Sequence, residues 1–302
     1  MTGPGSPELA GRGGDPTIPL PAGELPPVYG PPDYPSPADP RYYGPPRYGP
    51  RPSRPRRRRG GLRLVRRLAV TILALALLAL LAFGGLLLVT PSAGQAQQLA
   101  RAQDEAHHAA YPGPPVPPRF ADALIATEDH RFYSEPGIDL FAVGRVGFSY
   151  ATGQGDQGGA TLYQQLAKLL YTPGRSGPAV EAEQVALAVK LYLTYSKQQI
   201  LQMYADVAYF GNGYYGLAAA SCGYFGVPPA GLSWPQAALM AGLVQGPTED
   251  DPLTHPGQAR AREEHVIGRL VATGKLTQAQ ANAALAAPVA SLVAAAGQGC
   301  SS

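Results

Sequence analysis

Residues 195–226 read YSKQQILQMYADVAYFGNGYYGLAAASCGYFG. Ser196 with Gln199 three residues on is a capping-box signature, in which each side chain satisfies a backbone N–H at a helix start. A helix therefore opens at 196, a Gly-rich stretch interrupts it, and LAAASCGYF resumes an Ala-rich helical pattern. Working outward, ADALIATED (121–129), DLFAVGRVGFSYA (139–151), TLYQQLAKLLY (161–171), AEQVALAVKLYL (182–193), PQAALMAGLVQG (235–246) and ARAREEHVIGRLVATG (259–274) read the same way. Thr277 with Gln280 caps one more helix, and strand-like alternation is nearly absent. The folded part is expected to be mainly α, with Gly-rich loops such as GQGDQGG (153–159) carrying function.

Charge divides the 302-residue chain in two. Before Leu68 there are 12 Arg, no Lys and 5 acidic residues, whereas the rest holds 12 Lys or Arg against 16 acidic residues. The overall net charge of +3 is thus an average over unlike halves, and an acidic folded part gives no support to nucleic-acid binding. The first 67 residues are rich in Pro, Tyr and Arg from residue 26 on, with YGPP at 29–32 and again at 43–46. Such a segment cannot bury enough apolar surface to offset its ordering entropy, so residues 1–67 are expected to form a disordered tail.

Leu68 to Val89 is a run of 22 residues without a charge, long enough at about 1.5 Å per residue to cross the roughly 30 Å hydrocarbon layer. Arg56–Arg59, Arg63, Arg66 and Arg67 lie on its N-terminal side, which places the tail in the cytoplasm and everything after Thr90 outside. Residues 68–90 are therefore expected to be a single transmembrane helix, 91–118 an extracytoplasmic stalk, 119–275 the main domain, and 276–302 a helical extension and tail. Cys222 and Cys300 could pair outside the cell, but Cys222 sits in a pattern where a small core residue is the commoner reading.

The stretch ATEDHRFYSEPGID (126–139) crowds charge at the end of an apolar helix. Glu128 lies four residues after Leu124 and three after Ile125, so it projects with the apolar side, while Asp129 points toward solvent or backbone. A carboxylate desolvated in this way has a raised pKa and suits a general base; the bland alternative is a helix end decorated with mixed charge. A second stretch, GGATLYQQLAK (158–168), leads a Gly-rich loop into a helix carrying Thr161, Gln164, Gln165 and Lys168. Free backbone N–H groups at its start, with a lysine two turns in, would suit a phosphate.

These stretches, with EQVALAVKLYLTYSKQQILQMY (183–204), YFGNGYYGLAAASCGYFG (209–226) and LMAGLVQGP (239–247), resemble the peptidoglycan glycosyltransferases in order and spacing, over about residues 119–275. The resemblance implies a lysozyme-like glycosyltransferase domain that polymerises lipid II. By position, Glu128 matches the general base, which takes the proton of the acceptor sugar's 4-hydroxyl as that oxygen displaces undecaprenyl diphosphate from the lipid-linked chain. Asp129, Arg131, Phe132, Arg145, Thr161, Gln164, Gln165, Lys168 and Lys190 are the expected substrate-binding residues, with Lys168 on the diphosphate.

Several positions depart from the family pattern. Glu135 stands for His, Ala160 for Ser, Tyr163 for Thr and Leu169 for Asn. The third motif, normally Arg-Lys-x-x-Glu, falls without a gap on Val180, Glu181 and Gln184, or with a one-residue shift puts Glu183 at the second carboxylate, which is the expected catalytic choice. Tyr192, Gln202, Ala205 and Gln236 stand where Glu, Glu, Leu and Glu are expected. Since a diphosphate leaves well but needs positive charge around it, the missing Arg-Lys pair matters more than the second carboxylate, and a divalent cation (Mg²⁺ or Mn²⁺) could stand in. The partners implied are lipid II, the growing glycan chain, the membrane and, through the tail, cell-wall synthesis proteins. The alternatives are an impaired relative that binds lipid II as a scaffold, and a glycan hydrolase using Glu128 as an acid.

Overall fold

The structure, a computed structural model, describes residues 59–137, 160–293 and 300 together with Gly30 and Gly49. The tail expected over 1–67 thus lies almost wholly outside the described residues, as do the helix expected over 139–151, Arg145 and the GQGDQGG loop. The chain divides into two units, residues 1–61 and 62–302. The first is described only at its two glycines and in the backbone turn that opens the first helix.

Helix α1 spans Arg59–Val89, and the most apolar 18-residue stretch of its Arg63–Val89 part has a mean hydropathy of 2.9 and is not buried. Leu73, Leu80 and Leu88 are 70%, 66% and 87% exposed. Among the described residues nothing covers this apolar surface, and its length and composition suffice to cross a membrane.

A 3₁₀ turn at Ala93–Gln95 leads into α2 (Ala96–Ala106), which packs on the domain through Ala93, Ala96 and Ala100. The absence of bulk beyond Cβ at these positions allows close approach. Here the structure differs from a free-standing stalk: residues 91–118 share the hydrophobic core of the main domain. Asp104 of α2 is 1% exposed, and burial, with the charge of Asp206 second, pushes its carboxyl up to about 7.

The remaining elements are α3 (Pro118–Glu128), α4 (Leu162–Tyr171), α5 (Pro178–Thr194), α6 (Lys197–Val207), α7 (Leu217–Phe225), α8 (Trp234–Leu243), α9 (Pro256–Ala272), α10 (Gln278–Ala284) and α11 (Val289–Leu292). Among the described residues there is no strand, only a single bridge between Tyr209 and Tyr215. The capping boxes expected at Ser196–Gln199 and Thr277–Gln280 are formed, and Ser233–Gln236 makes a third.

Two groups of helices meet at the site. In one, α3, α8 and α9 pack on one another; in the other, α4 packs on α5 and α6 with α2 alongside. Arg269 of α9 donates to the Ala126 carbonyl at 3.0 Å, and Lys275, just past the end of α9, pairs with Asp122 at 2.7 Å, so α9 and the turn after it hold the middle and the last turn of α3. On the other side Gly137, at φ +76°, brings the turn after α3 against α5, where a Cβ would stand 2.7 Å from that of Tyr192. No residue with a side chain fits that turn.

The C-terminal extension is clamped rather than loose. Arg260 pairs with fully buried Glu263 at 3.1 Å and donates to the carbonyls of Leu285 and Ala287. Cys222 of α7 is bonded to Cys300, so the core reading of Cys222 gives way to a half-buried disulfide that closes a span of 78 residues. Replacing either cysteine by serine, or reducing the bond, is expected to lower unfolding free energy by about 2–4 kcal/mol, as measured by denaturant unfolding with and without reductant.

Candidate active site

Glu128 is the last residue of α3, with its side chain 12% exposed. Its Oε2 accepts from Gln165 Nε2 at 3.0 Å, and Gln165 Oε1 accepts from the Tyr204 hydroxyl at 2.8 Å. Arg262 Nη2 stands 3.9 Å from Oε1, and among the described residues that nitrogen finds no hydrogen-bond partner of its own. The carboxyl is thus met by α4 on one oxygen and α9 on the other. Burial raises its pKa, and the Gln165 bond and the Arg262 charge act against that rise.

Arg262 is set by α8. Gly242 faces it so closely that a Cβ there would lie 2.6 Å from Arg262 Cγ, and the Gly242 carbonyl accepts from Nε at 3.3 Å. Asp250 Oδ2 lies 3.8 Å from the same nitrogen. The guanidinium therefore stands between two carboxylates without a short contact to either.

Of the two directions expected for it, solvent or backbone, Asp129 takes the backbone. It is 7% exposed and its Oδ2 accepts from the Leu162 N–H at 2.9 Å. Thr161 caps α4, accepting from Gln164 N at 3.2 Å while donating to the Gly137 carbonyl at 3.0 Å. These bonds correct the expectation of free N–H groups at the start of α4: Leu162 N and Gln164 N are already occupied, so that helix end does not offer them to a phosphate.

The turn after Asp129 is held from α6. Lys197 Nζ donates to the carbonyls of Phe132 and Glu135 and lies 5.0, 5.6 and 5.5 Å from the ring centroids of Phe132, Tyr163 and Tyr192. Phe132 is fully buried on Tyr163. Among the described residues the buried Glu135 oxygens meet no nitrogen or hydroxyl donor, but they lie within hydrogen-bonding reach of the Asp129 carboxyl. Burial, then the Asp129 charge, pushes Glu135 up to about 8, with Lys197 and Arg131 opposing. Both carboxyls are pushed up, Glu135 the further, so that placing them together favours one shared proton over two charges.

The other expected residues fall into three settings. Gln164 is half-exposed and Lys168 exposed on α4, beside Gln165. Lys190 donates to the Thr90 and Pro91 carbonyls at 2.7 and 3.0 Å, at the end of α1. Glu183 pairs with Arg175 at 2.9 Å with 19% of its side chain exposed, while Gln184 is buried and donates to Thr172 Oγ1 at 2.8 Å, and Glu181 is exposed. Among the described residues, no three His, Cys, Asp or Glu side chains gather as a metal cradle. Tyr204 and Arg262, which touch the site directly, carry no local signal. Their partners lie 39 and 134 residues away, and only Gly242, a glycine inside an otherwise apolar buried helix, hints that something crosses there.

A family model described as Transglycosylase matches residues 95–271. The chain is 35% identical over 178 residues to penicillin-binding protein 1A of Streptococcus oralis, covering 58% of this chain and 28% of that one. It is 40% identical over 159 residues to penicillin-binding protein 2a of Streptococcus pneumoniae, covering 53% and 21%. A relative from Cupriavidus necator is 30% identical over 174 residues, covering 58% of this chain and 75% of the other. The chain thus spans about a quarter of the length of the penicillin-binding proteins it matches.

The Glu135 proton has a stability signature. Its folded pKa is raised, so between the ordinary carboxylate range and about 8 the native state holds a proton the unfolded state has lost, and stability falls as pH rises through that window. Glu135→Gln, which keeps a donor for Asp129 and cannot ionise, is expected to flatten this part of the slope and to be more stable than wild type at pH 9, read from urea midpoints across pH 5–9.

Proposed function

Because the chain belongs to the transglycosylase family, we propose that it is a membrane-anchored peptidoglycan glycosyltransferase that polymerises lipid II and releases undecaprenyl diphosphate. Glu128 in its carboxylate form takes the proton from the acceptor 4-hydroxyl. That oxygen bonds to the anomeric carbon of the lipid-linked chain from the face opposite the diphosphate, the carbon–oxygen bond to the diphosphate breaks, and the configuration inverts. The observation that carries this assignment is the buried Glu128 carboxyl, held by one amide donor and a guanidinium 3.9 Å away. The amide and the guanidinium favour its charged form, while burial makes it more basic and readier to accept a proton.

The departing diphosphate needs cations. On α4, Gln165, Lys168 and Thr172 fall within about 60° of one another around the axis, and Gln165 and Thr172 are about 10 Å apart along it. Lys168 therefore lies between the residue that grips the base and the residue that grips Gln184. We assign Lys168 and Arg145 to the diphosphate. Gln184, engaged with Thr172, is no proton donor, so Glu183, held by Arg175, takes the second-carboxylate role. Helix α1 is assigned as the single span, with the tail cytoplasmic and residues after 90 outside, on the strength of its uncovered apolar surface and the arginines before it.

One observation favours a second reading, in which the chain binds lipid II without turnover. The third-motif helix offers Val180, exposed Glu181 and buried Gln184 where the family carries two cations and an acid. Polymerisation of labelled lipid II by the full chain in detergent, with and without Mg²⁺ or Mn²⁺, separates the two. Glycan strands are expected from wild type, with a loss of 10²–10⁴-fold in Glu128→Gln, the usual worth of a general base. Lipid II binding with no strands under conditions where a related enzyme works supports the scaffold. Lys168→Ala is expected to reduce turnover by about 100-fold with little change in lipid II affinity, since an electrostatic contact of about 3 kcal/mol is made mainly as charge develops.

A further inference from the structure

Gln165 is the only side chain that donates a hydrogen bond to Glu128 among the described residues, and its own position needs explaining. It is half-buried on α4, and a glutamine head group turns freely about its last bond unless something holds it. The Tyr204 hydroxyl does so at 2.8 Å, and it has no other partner among the described residues. We propose that Tyr204 is a positioning residue for the reaction: its buried hydroxyl holds the Gln165 amide so that an N–H, and not the carbonyl oxygen, meets Glu128.

Three observations support this. Tyr204 is 2% exposed and burial, then the Glu128 charge, moves its phenol far above its ordinary value, so it keeps its hydrogen at any working pH. The bonds then run head to tail from O–H to C=O and from N–H to carboxylate, each polarising the next toward the charge on Glu128. Reversing the amide would set its oxygen against a carboxylate oxygen. Finally, Tyr204 comes from a helix anchored independently of Gln165. The capping box fixes the start of α6, and Lys197, two turns before Tyr204 on the same face, grips the turn after Glu128. Thus α6 touches the base's neighbourhood twice, about 10 Å apart along its axis.

This inference rests on Glu128 being the base. The test is the pH dependence of kcat/KM for glycan formation by the full chain carrying Tyr204→Phe, Gln165→Met or both. In each single variant the acid limb is expected to move up by about one pH unit, the size of one lost hydrogen bond to a charged group. The double variant is expected to move it no further, because Tyr204 acts only through Gln165. A merely structural role would lower kcat at every pH and leave the limb in place. An unmoved limb in either single variant, or shifts that add in the double, overturns the proposal. Should wild type make no glycan, the base assignment fails separately. The Glu128 carboxyl is then titrated by infrared spectroscopy of ¹³C-glutamate-labelled protein, with Glu128→Gln as the reference. An upward shift in Tyr204→Phe sustains the proposal, and an unshifted band overturns it.

Discussion

The bond between the Gln165 amide and Glu128 links two groups of helices that share one hydrophobic core, and it does so at a charge nearly out of water. A buried carboxylate without donors would simply take up a proton. Ionisation here requires that α4 and α9 both reach the end of α3, one with an amide and the other with a guanidinium. The surrounding geometry answers that requirement. Gly242 leaves room for Arg262, Asp129 ties the start of α4 to the end of α3, and Gly137 lets the intervening turn lie against α5.

Around this centre the charges are arranged so that most are committed to structure. Lys197 serves two carbonyls and three rings, Arg260 two carbonyls and a buried glutamate, and Lys190 two carbonyls at the end of α1. Among the described residues of the domain few cations are thus left without such a commitment. Lys168, exposed on α4, is one of them.

How much of this could be read from the sequence depended on whether the signal was local. Capping boxes at Ser196 and Thr277 and the apolar spacing before Glu128 are contained within a turn or two, and the structure forms them as expected. Long-range partners were invisible. Arg262 sits in RAREE, which reads as a solvated helical face, and Tyr204 reads as one more core aromatic. The substitutions relative to the family also needed coordinates to make sense. Gln202 accepts from Val116 N at 3.3 Å and donates to Asp206 at 2.8 Å and to the Pro114 carbonyl at 3.2 Å, a set that an ionised glutamate could not satisfy because it has no hydrogen to give. Gln236 closes a capping box at Ser233 by accepting from the Ser233 N–H, a bond that a glutamate would accept as well, so nothing in the structure explains that substitution. Pairing of Cys222 with Cys300 was open because spacing carries no information on connectivity for two cysteines so far apart.

Lys190 holds the chain where α1 ends, through the carbonyls of Thr90 and Pro91, and the tyrosines at 171 and 195 grip the next residues through the carbonyls of Ser92 and Ala93. Joints of this kind remove the swivel that a flexible linker would provide. With α1 upright in a bilayer, the domain would ride at a fixed height and heading, so that anything diffusing in the plane would always arrive from the same side.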